Sequence, residues 1–245
     1  MGSLFNLKDG TIIGTSVPVK FDLGGWQHAV KLVSRSDTPL VAKFEMVPKN
    51  TQRLTPGSDR QKELLGELEA LFFANGFRTI TVDDIAARLK CSKRTLYEIA
   101  PSKQELFILV IESWLERIRH LGWQGVLQHD DPTKRVLAYL EPGVIESRPA
   151  SRQFLADLQS YRPALALLEA HQAQRTKVLM EIVEDGIRRG CFKPFHSALV
   201  AELFLAAVNR INEPSTLERT GVGFSQAFDE LYKILTTGLF LKSDE

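Results

Sequence analysis

The chain has 245 residues, 44% of them hydrophobic and 25% charged, which are globular proportions and exclude a collagen-like, fibrous or wholly disordered protein. Lys plus Arg number 31 against 30 Asp plus Glu, so any nucleic-acid site must be a local patch rather than a property of the whole chain. Cys91 and Cys191 are the only cysteines and form no C-x-x-C, which argues against a disulfide framework or a cysteine zinc site and fits a reducing cytoplasm.

No run reaches the ~18 consecutive apolar residues of a membrane-spanning helix. The start has no basic region followed by a long apolar run, and Asn6 breaks the myristoylation pattern, so export and lipid anchoring are not expected. The expected location is cytoplasmic, with no membrane partner.

In chain order, the first segment reads as short strands. Val17, Val19, Phe21 and Leu23 alternate with polar residues, and Leu40, Ala42, Phe44 and Met46 repeat the period of two, with Asp9-Gly10 and Gly24-Gly25 as turns. So few strands need a docking surface to be stable. Turn and cap residues Thr55-Pro56-Gly57-Ser58-Asp59 then mark a boundary. Residues 1–58 are accordingly set apart as an N-terminal extension.

From Asp59 the chain reads as all-α, with Gly76, Pro101, Pro132, Pro142, Pro149, Pro163, Gly190, Pro194 and Pro214 as joints. The first helix sets Leu64, Leu68, Leu71 and Phe72 on one face and ends at Asn75-Gly76. Thr81-x-x-Asp84 is a capping box for a second helix of barely two turns, with Val82, Ile85, Ala86 and Leu89 on its face. Ser92 caps a third short helix, and Ser102-x-x-Glu105 opens a long one carrying Leu106, Leu109, Val110, Trp114 and Ile118.

Two short capped helices separated by Lys90-Cys91 make the skeleton of a helix-turn-helix. A helix starting at Ser92 exposes Lys93, Arg94, Thr95 and Tyr97, while Leu96 and Ile99 face inward. Arg88, Lys90, Lys93 and Arg94 place four cations within seven residues with no acid among them, a patch suited to DNA phosphates and base edges. A short basic helix alone is ordinary solvated surface, so the weight rests on the pattern around it.

That pattern resembles the N-terminal domain of TetR-family transcriptional regulators over residues 60–118. The matching positions read Phe73-Ala-Asn-Gly76-Phe77, then Thr81-Val82-Asp-Asp-Ile85-Ala86, then Ser92-Lys-Arg-Thr95-Leu96-Tyr97, then Lys103 and Leu106. The resemblance implies a helix-turn-helix DNA-binding domain (59–105) followed by a helical effector-binding and dimerisation domain (106–245). It further implies double-stranded operator DNA, an unknown small-molecule effector and a second copy of the chain as partners. Thr81 and Tyr97 are then expected to contact phosphates, Lys103 to sit on the DNA backbone, and Lys93, Arg94 and Thr95 to reach the major groove, with Ser92 also among the DNA-binding residues.

Two positions depart from the family pattern, Glu98 where a polar or basic residue is common and Ala100 where Phe is common. Glu98 would repel phosphate unless it pairs with Arg94 four residues earlier or accepts from a cytosine amino group.

Catalysis has little support. His28, His120, His129, His171 and His196 show no ligand-like spacing, no phosphate-binding or nucleophile-elbow motif is present, and Asp130-Asp131 beside Pro132 reads as a helix cap. No enzyme activity, metal or cofactor is expected. Trp114, Trp123, Tyr139, Phe154 and Tyr161, with Phe204, are candidate walls of an effector pocket, though each also suits an ordinary core. Leu199, Leu203 and Ala207 in one late helix, and Phe224, Phe228, Leu231 and Leu235 in another, form apolar stripes expected at a dimer interface.

The family usually starts with a short basic arm before its first helix. Residues 1–45 therefore admit two readings: a misplaced start, with Met46 opening an arm that carries Lys49, Arg53 and Arg60, or a genuine β appendage.

Overall fold

A computed structural model describes the backbone of residues 20–23, 26–33 and 41–48 and the chain from 59 to 239. The chain divides into two compact units, Met1–Thr55 and Pro56–Glu245. In the first, β1 (Lys20–Leu23), β2 (Trp26–Val33) and β3 (Val41–Pro48) form an antiparallel sheet in the order β1-β2-β3. Leu23 stands opposite Trp26, and Met46 opposite His28. Phe21, Leu23, Ala42, Phe44 and Met46 thus lie in strands as their alternation predicts, and β2 is an additional strand that the sequence reading did not assign. Val17, Val19, Leu40, the Asp9-Gly10 and Gly24-Gly25 turns, Thr55 to Ser58, Lys49 and Arg53 lie outside the described residues.

The second unit is helical. Its head contains α1 (Asp59–Asn75), α2 (Val82–Arg88) and α3 (Lys93–Ile99), followed by α4 (Lys103–Leu127). The rest comprises α5 (Pro132–Ser147), α6 (Arg152–Ser160), α7 (Arg162–Arg188), α8 (Ser197–Ile211), α9 (Pro214–Thr220) and α10 (Phe224–Leu239).

The helix boundaries follow from cap chemistry. Gly76 adopts φ +73°, a left-handed conformation that ends α1 at little cost only for glycine. Thr81 accepts from the Asp84 amide, and the Asp84 carboxylate accepts from the Thr81 amide at 2.9 Å, a complete capping box. The Ser92 and Ser102 hydroxyls accept from the amides of Thr95 and Glu105, and Asp131 accepts from that of Thr133.

Pro142 departs from expectation, because it lies inside α5 instead of at a joint. A proline within a helix leaves the carbonyl four residues earlier without its usual partner. That carbonyl belongs to Ala138, and α4 meets it at Gly125, where a Cβ would stand 3.0 Å from the oxygen. The glycine lets the two helices approach closely at the point where the ladder is interrupted.

Phe72, Phe73, Phe77, Phe107, Trp114 and Phe154 make a buried aromatic cluster between head and bundle. Phe77 stacks on Phe107 at 4.1 Å, and Trp114 meets Phe73 edge-on at 5.4 Å. Such pairs each contribute about 1 kcal/mol beyond the burial of their surface.

Polar contacts tie the same junction. The buried Asp157 carboxylate of α6 accepts from the amides of Phe77 (2.7 Å) and Arg78 (3.0 Å) and from Gln153 Nε2 (2.9 Å). Arg117 of α4 pairs with Glu69 of α1 and Glu146 of α5 at 2.5 and 2.6 Å.

Candidate DNA-binding head and effector cavity

Leu96 and Ile99 are buried beneath α3, leaving Lys93, Arg94, Tyr97 and Glu98 exposed. The inward and outward faces are those that the helical period predicts, except that Thr95, expected to be exposed, is half-buried. Arg94 Nε donates to Glu98 Oε1 at 3.0 Å, so the carboxylate on this face is paired by the residue four positions earlier. Lys93 pairs with Asp83 of α2 at 2.5 Å. Both pairs are solvent-exposed and therefore weak, free to exchange for phosphate oxygens.

Thr81 and Ser92 both cap helices. The Ser92 hydroxyl stands 2.9 Å from that of Thr95, which is half-buried. These three side chains shape the surface as well as presenting hydroxyls on it.

Lys90, between α2 and α3, has φ +48°. This is the left-handed region that non-glycine residues occupy at a cost of about 1 kcal/mol. No ion pair among the described residues involves Arg88 or Lys90.

Lys103, expected on the DNA backbone, also has contacts within the head. Its ammonium donates to the carbonyls of Ile80 (2.7 Å) and Arg78 (3.3 Å) and lies 5.7 Å above the Phe77 ring. Two of its three N–H groups brace the α1–α2 connection, leaving one for an outside acceptor.

In the bundle, a narrow cavity of about 20 Å³ lies between four helices, with room for one water. Trp114, Leu115 and Ile118 of α4 and Phe224 and Phe228 of α10 supply apolar walls. Arg175, His171 and Gln172 of α7, Ser147 of α5 and Tyr232 of α10 supply polar ones.

Arg175 is 5% exposed. It donates to the Tyr139 carbonyl at 2.7 Å and the Ile118 carbonyl at 3.4 Å, and lies 4.6 Å over the Tyr139 ring. His171 is also buried, its Nδ1 3.1 Å from Arg119 Nη1. Burial, with the nearby charges of Arg175 and Arg119, holds its pKa well below the ordinary histidine value. The imidazole is therefore neutral, accepting at Nδ1 and carrying its proton on Nε2. Burial pushes the Tyr139 phenol up to about 12 despite the opposing pull of Arg175.

Of the five aromatic residues expected to line a pocket, Trp114 alone does so. Phe154 is wholly buried against Phe73 and Trp114, and Tyr161 packs on Phe77, so both belong to the head junction. Tyr139 sits behind Arg175, Trp123 is half-buried away from the cavity, and Phe204 stacks on Tyr232. Arg175, His171, Gln172 and Tyr232 were missed. The available signal was a set of polar residues on the stripe Leu168, His171, Gln172, Arg175, Leu179, where a purely structural helix would carry apolar ones.

The expected dimer stripes also divide. Phe224 and Phe228 are 6% and 3% exposed and face their own bundle, and Leu231 and Leu235 are half-buried in it. Ala207 is likewise half-buried. By contrast, Leu199, Leu203 and Ile234 are 57%, 64% and 71% exposed.

These features define a helix-turn-helix DNA-binding head fused through α4 to a helical bundle. The family model described as bacterial regulatory proteins, tetR family, matches residues 64–110. The chain is 39% identical over 141 residues to the HTH-type transcriptional regulator Mb1581 of Mycobacterium bovis, covering 56% of this chain and 67% of that one. It is 20% identical over 184 residues to the HTH-type regulator YvaF of Bacillus subtilis, covering 73% and 94% respectively.

Among solved structures, a transcriptional regulator from Saccharomonospora viridis in complex with choline matches with a TM-score of 0.60 at 13% identity, covering 74% of this chain and 97% of that one. A TetR-family regulator from Agrobacterium tumefaciens matches at 0.57 and 16%, with the same coverage. The chain belongs to the TetR family of bacterial transcriptional regulators. It is thus a DNA-binding regulator and not an enzyme. Among the described residues no helix is long and apolar enough to cross a membrane, and no cluster of His, Cys, Asp or Glu is placed to hold a metal ion.

Proposed function

We propose that this chain is a cytoplasmic, homodimeric repressor that leaves its operator when a small molecule enters the cavity beside Arg175. The observation that carries this reading is the continuity of α4. Its first turn braces the head through Lys103, and eleven residues later Trp114 lines the cavity while its ring meets Phe73 of α1. A ligand that prefers one position of Trp114 then biases the position of the head, as differential affinity requires. The choline complex of the S. viridis relative fits a small-molecule role for this fold.

Lys93, Arg94 and Thr95 enter the major groove, Thr81 and Tyr97 lie along the phosphates beside Ser92, and Lys103 offers them its remaining N–H. Residues 59–105 act as the DNA-binding domain and residues 106–245 as the effector and dimerisation domain. Exposed Leu199, Leu203 and Ile234 are the favoured centre of the two-fold interface. Leu203→Glu should halve the mass in sedimentation, and a retained dimer would remove α8 from the interface. The pairing of β3 through Met46 supports a β appendage over a start at Met46.

Fluorescence anisotropy against the DNA upstream of the gene, with excess unrelated competitor and at two salt concentrations, tests the regulator reading. Saturable binding that survives competitor is expected. Loss of binding to competitor at both salts would leave only non-specific phosphate attraction, the mark of a DNA-coating protein.

A further inference from the structure

Arg175 is an unusual residue to find at a cavity wall. A buried cation ordinarily has a carboxylate beside it, because desolvating a charge without an opposite one is unfavourable. Among the described residues no ion pair includes Arg175; it meets the Tyr139 and Ile118 carbonyls, the Tyr139 ring and the Tyr232 hydroxyl, all of them uncharged. The other side of the guanidinium approaches the cavity, where a Cβ on Gly143 would stand 3.5 Å from Nη2 and 3.2 Å from the Tyr232 hydroxyl.

Gln172, one turn before Arg175 and 9% exposed, lines the same cavity, and no hydrogen bond among the described residues involves its amide. Its amide is therefore open to an acceptor that enters the cavity. Next to it His171 carries its proton on Nε2, and the Tyr232 hydroxyl is a further donor. Donors therefore gather on one side of a cavity whose other walls are Trp114, Leu115, Ile118, Phe224 and Phe228.

We propose that this cavity binds an organic carboxylate with an apolar body, its carboxylate on Arg175 and Gln172 and its body among the aromatic and aliphatic walls. The planar guanidinium matches a carboxylate in geometry, and the anion supplies both the missing countercharge and the acceptor for the amide. At about 20 Å³ the free cavity is too small for such a ligand. Entry must displace Phe224, Phe228 and Tyr232, which all lie on α10, so binding shifts that helix. This inference rests on the effector-controlled reading above and assigns the chemical class of the effector.

The test measures thermal midpoint and tryptophan fluorescence of the full chain with straight-chain carboxylates from butanoate to decanoate and with 3-phenylpropanoate, each against its matched alcohol and amine. At least one carboxylate should bind about tenfold more tightly than its alcohol, the ratio expected from one charge-assisted contact. Arg175→Gln should erase that preference and Arg175→Lys keep part of it. If Arg175→Gln fails to fold, Gln172→Leu, which leaves the charge in place, should weaken the carboxylate several-fold and spare the alcohol.

Carboxylates that bind no better than alcohols or amines, or do not bind at all, overturn the proposal. So does a folded Arg175→Gln that keeps the preference. Carboxylate binding through Arg175 without release of operator DNA would leave the site standing and overturn effector control. Release by amines or alcohols but by no carboxylate would do the reverse.

Discussion

Arg117 and Arg175 occupy opposite ends of one electrostatic scale. Arg117, at the junction of head and bundle, is 37% exposed at its side chain and has two carboxylates, Glu69 and Glu146, within 2.6 Å. Arg175, on α7, is 5% exposed and has none among the described residues. Solvation lowers the need for a countercharge at Arg117, yet that is where the chain supplies two. The junction is therefore internally complete, its charges matched by each other, whereas the cavity wall holds a guanidinium with no carboxylate beside it. Under the effector-controlled reading proposed above, the matched junction would transmit what happens at the uncompensated guanidinium.

The sharpest way to break this contrast is at the junction. Asp157→Ala removes the acceptor of the Phe77 and Arg78 amides and should cost about 3 kcal/mol in urea unfolding. Arg117→Met, which strands Glu69 and Glu146, should cost about 2 kcal/mol. Losses under 1 kcal/mol in both would show that the aromatic cluster alone holds the head.

The next effect is one of pH. The native pKa of His171 lies below its unfolded value near 6.5, so the unfolded chain binds the extra proton in between. Its contribution to stability is complete above that value and is lost as pH falls below it, with a slope of at most about 1.4 kcal/mol per pH unit. His171→Gln should flatten the acid limb between pH 6.5 and 5, and an unchanged limb would place the histidine in solvent.

Lys90→Gly relieves the left-handed backbone at φ +48°. It should raise stability by about 1 kcal/mol while weakening DNA binding at every sequence tested. The smallest change is expected at Arg175 itself. Arg175→Met should alter unfolding free energy by less than about 1 kcal/mol, because the lost hydrogen bonds are offset by relief of the buried charge. A loss as large as that of Arg117→Met would make Arg175 a structural strut and erase the contrast.

Local chemistry in this chain reads well from sequence. The capping residues Thr81, Ser92, Ser102 and Asp131 act where expected, and Arg94 takes up Glu98. Each depends on neighbours within four positions. What depends on the third dimension reads poorly. Helix α10 has apolar residues on more than one face, so periodicity found its stripe but not its direction: Phe224 and Phe228 point inward and Ile234 outward. Aromatic residues suited a pocket and a core equally, and most went to the core. Arg175 and Gln172 were overlooked because a polar residue on a long helix looks like surface until its burial is known. Lys103 matched a family position yet braces two carbonyls, since a motif gives residue types and not where an ammonium points.

The unbroken α4 turns small rearrangements into large ones. From Trp114 to Lys103 is eleven residues, about 17 Å of axis at 1.5 Å per residue. A tilt of about 5° at the cavity would sweep the head by about 1.5 Å, and in a two-fold dimer the two heads would part by about 3 Å. Recognition helices must meet grooves spaced about 34 Å apart on one face of the duplex. Such a mismatch is shared by every contact at once, so an opening of the bundle narrower than a methyl group can set the register of the protein on its DNA.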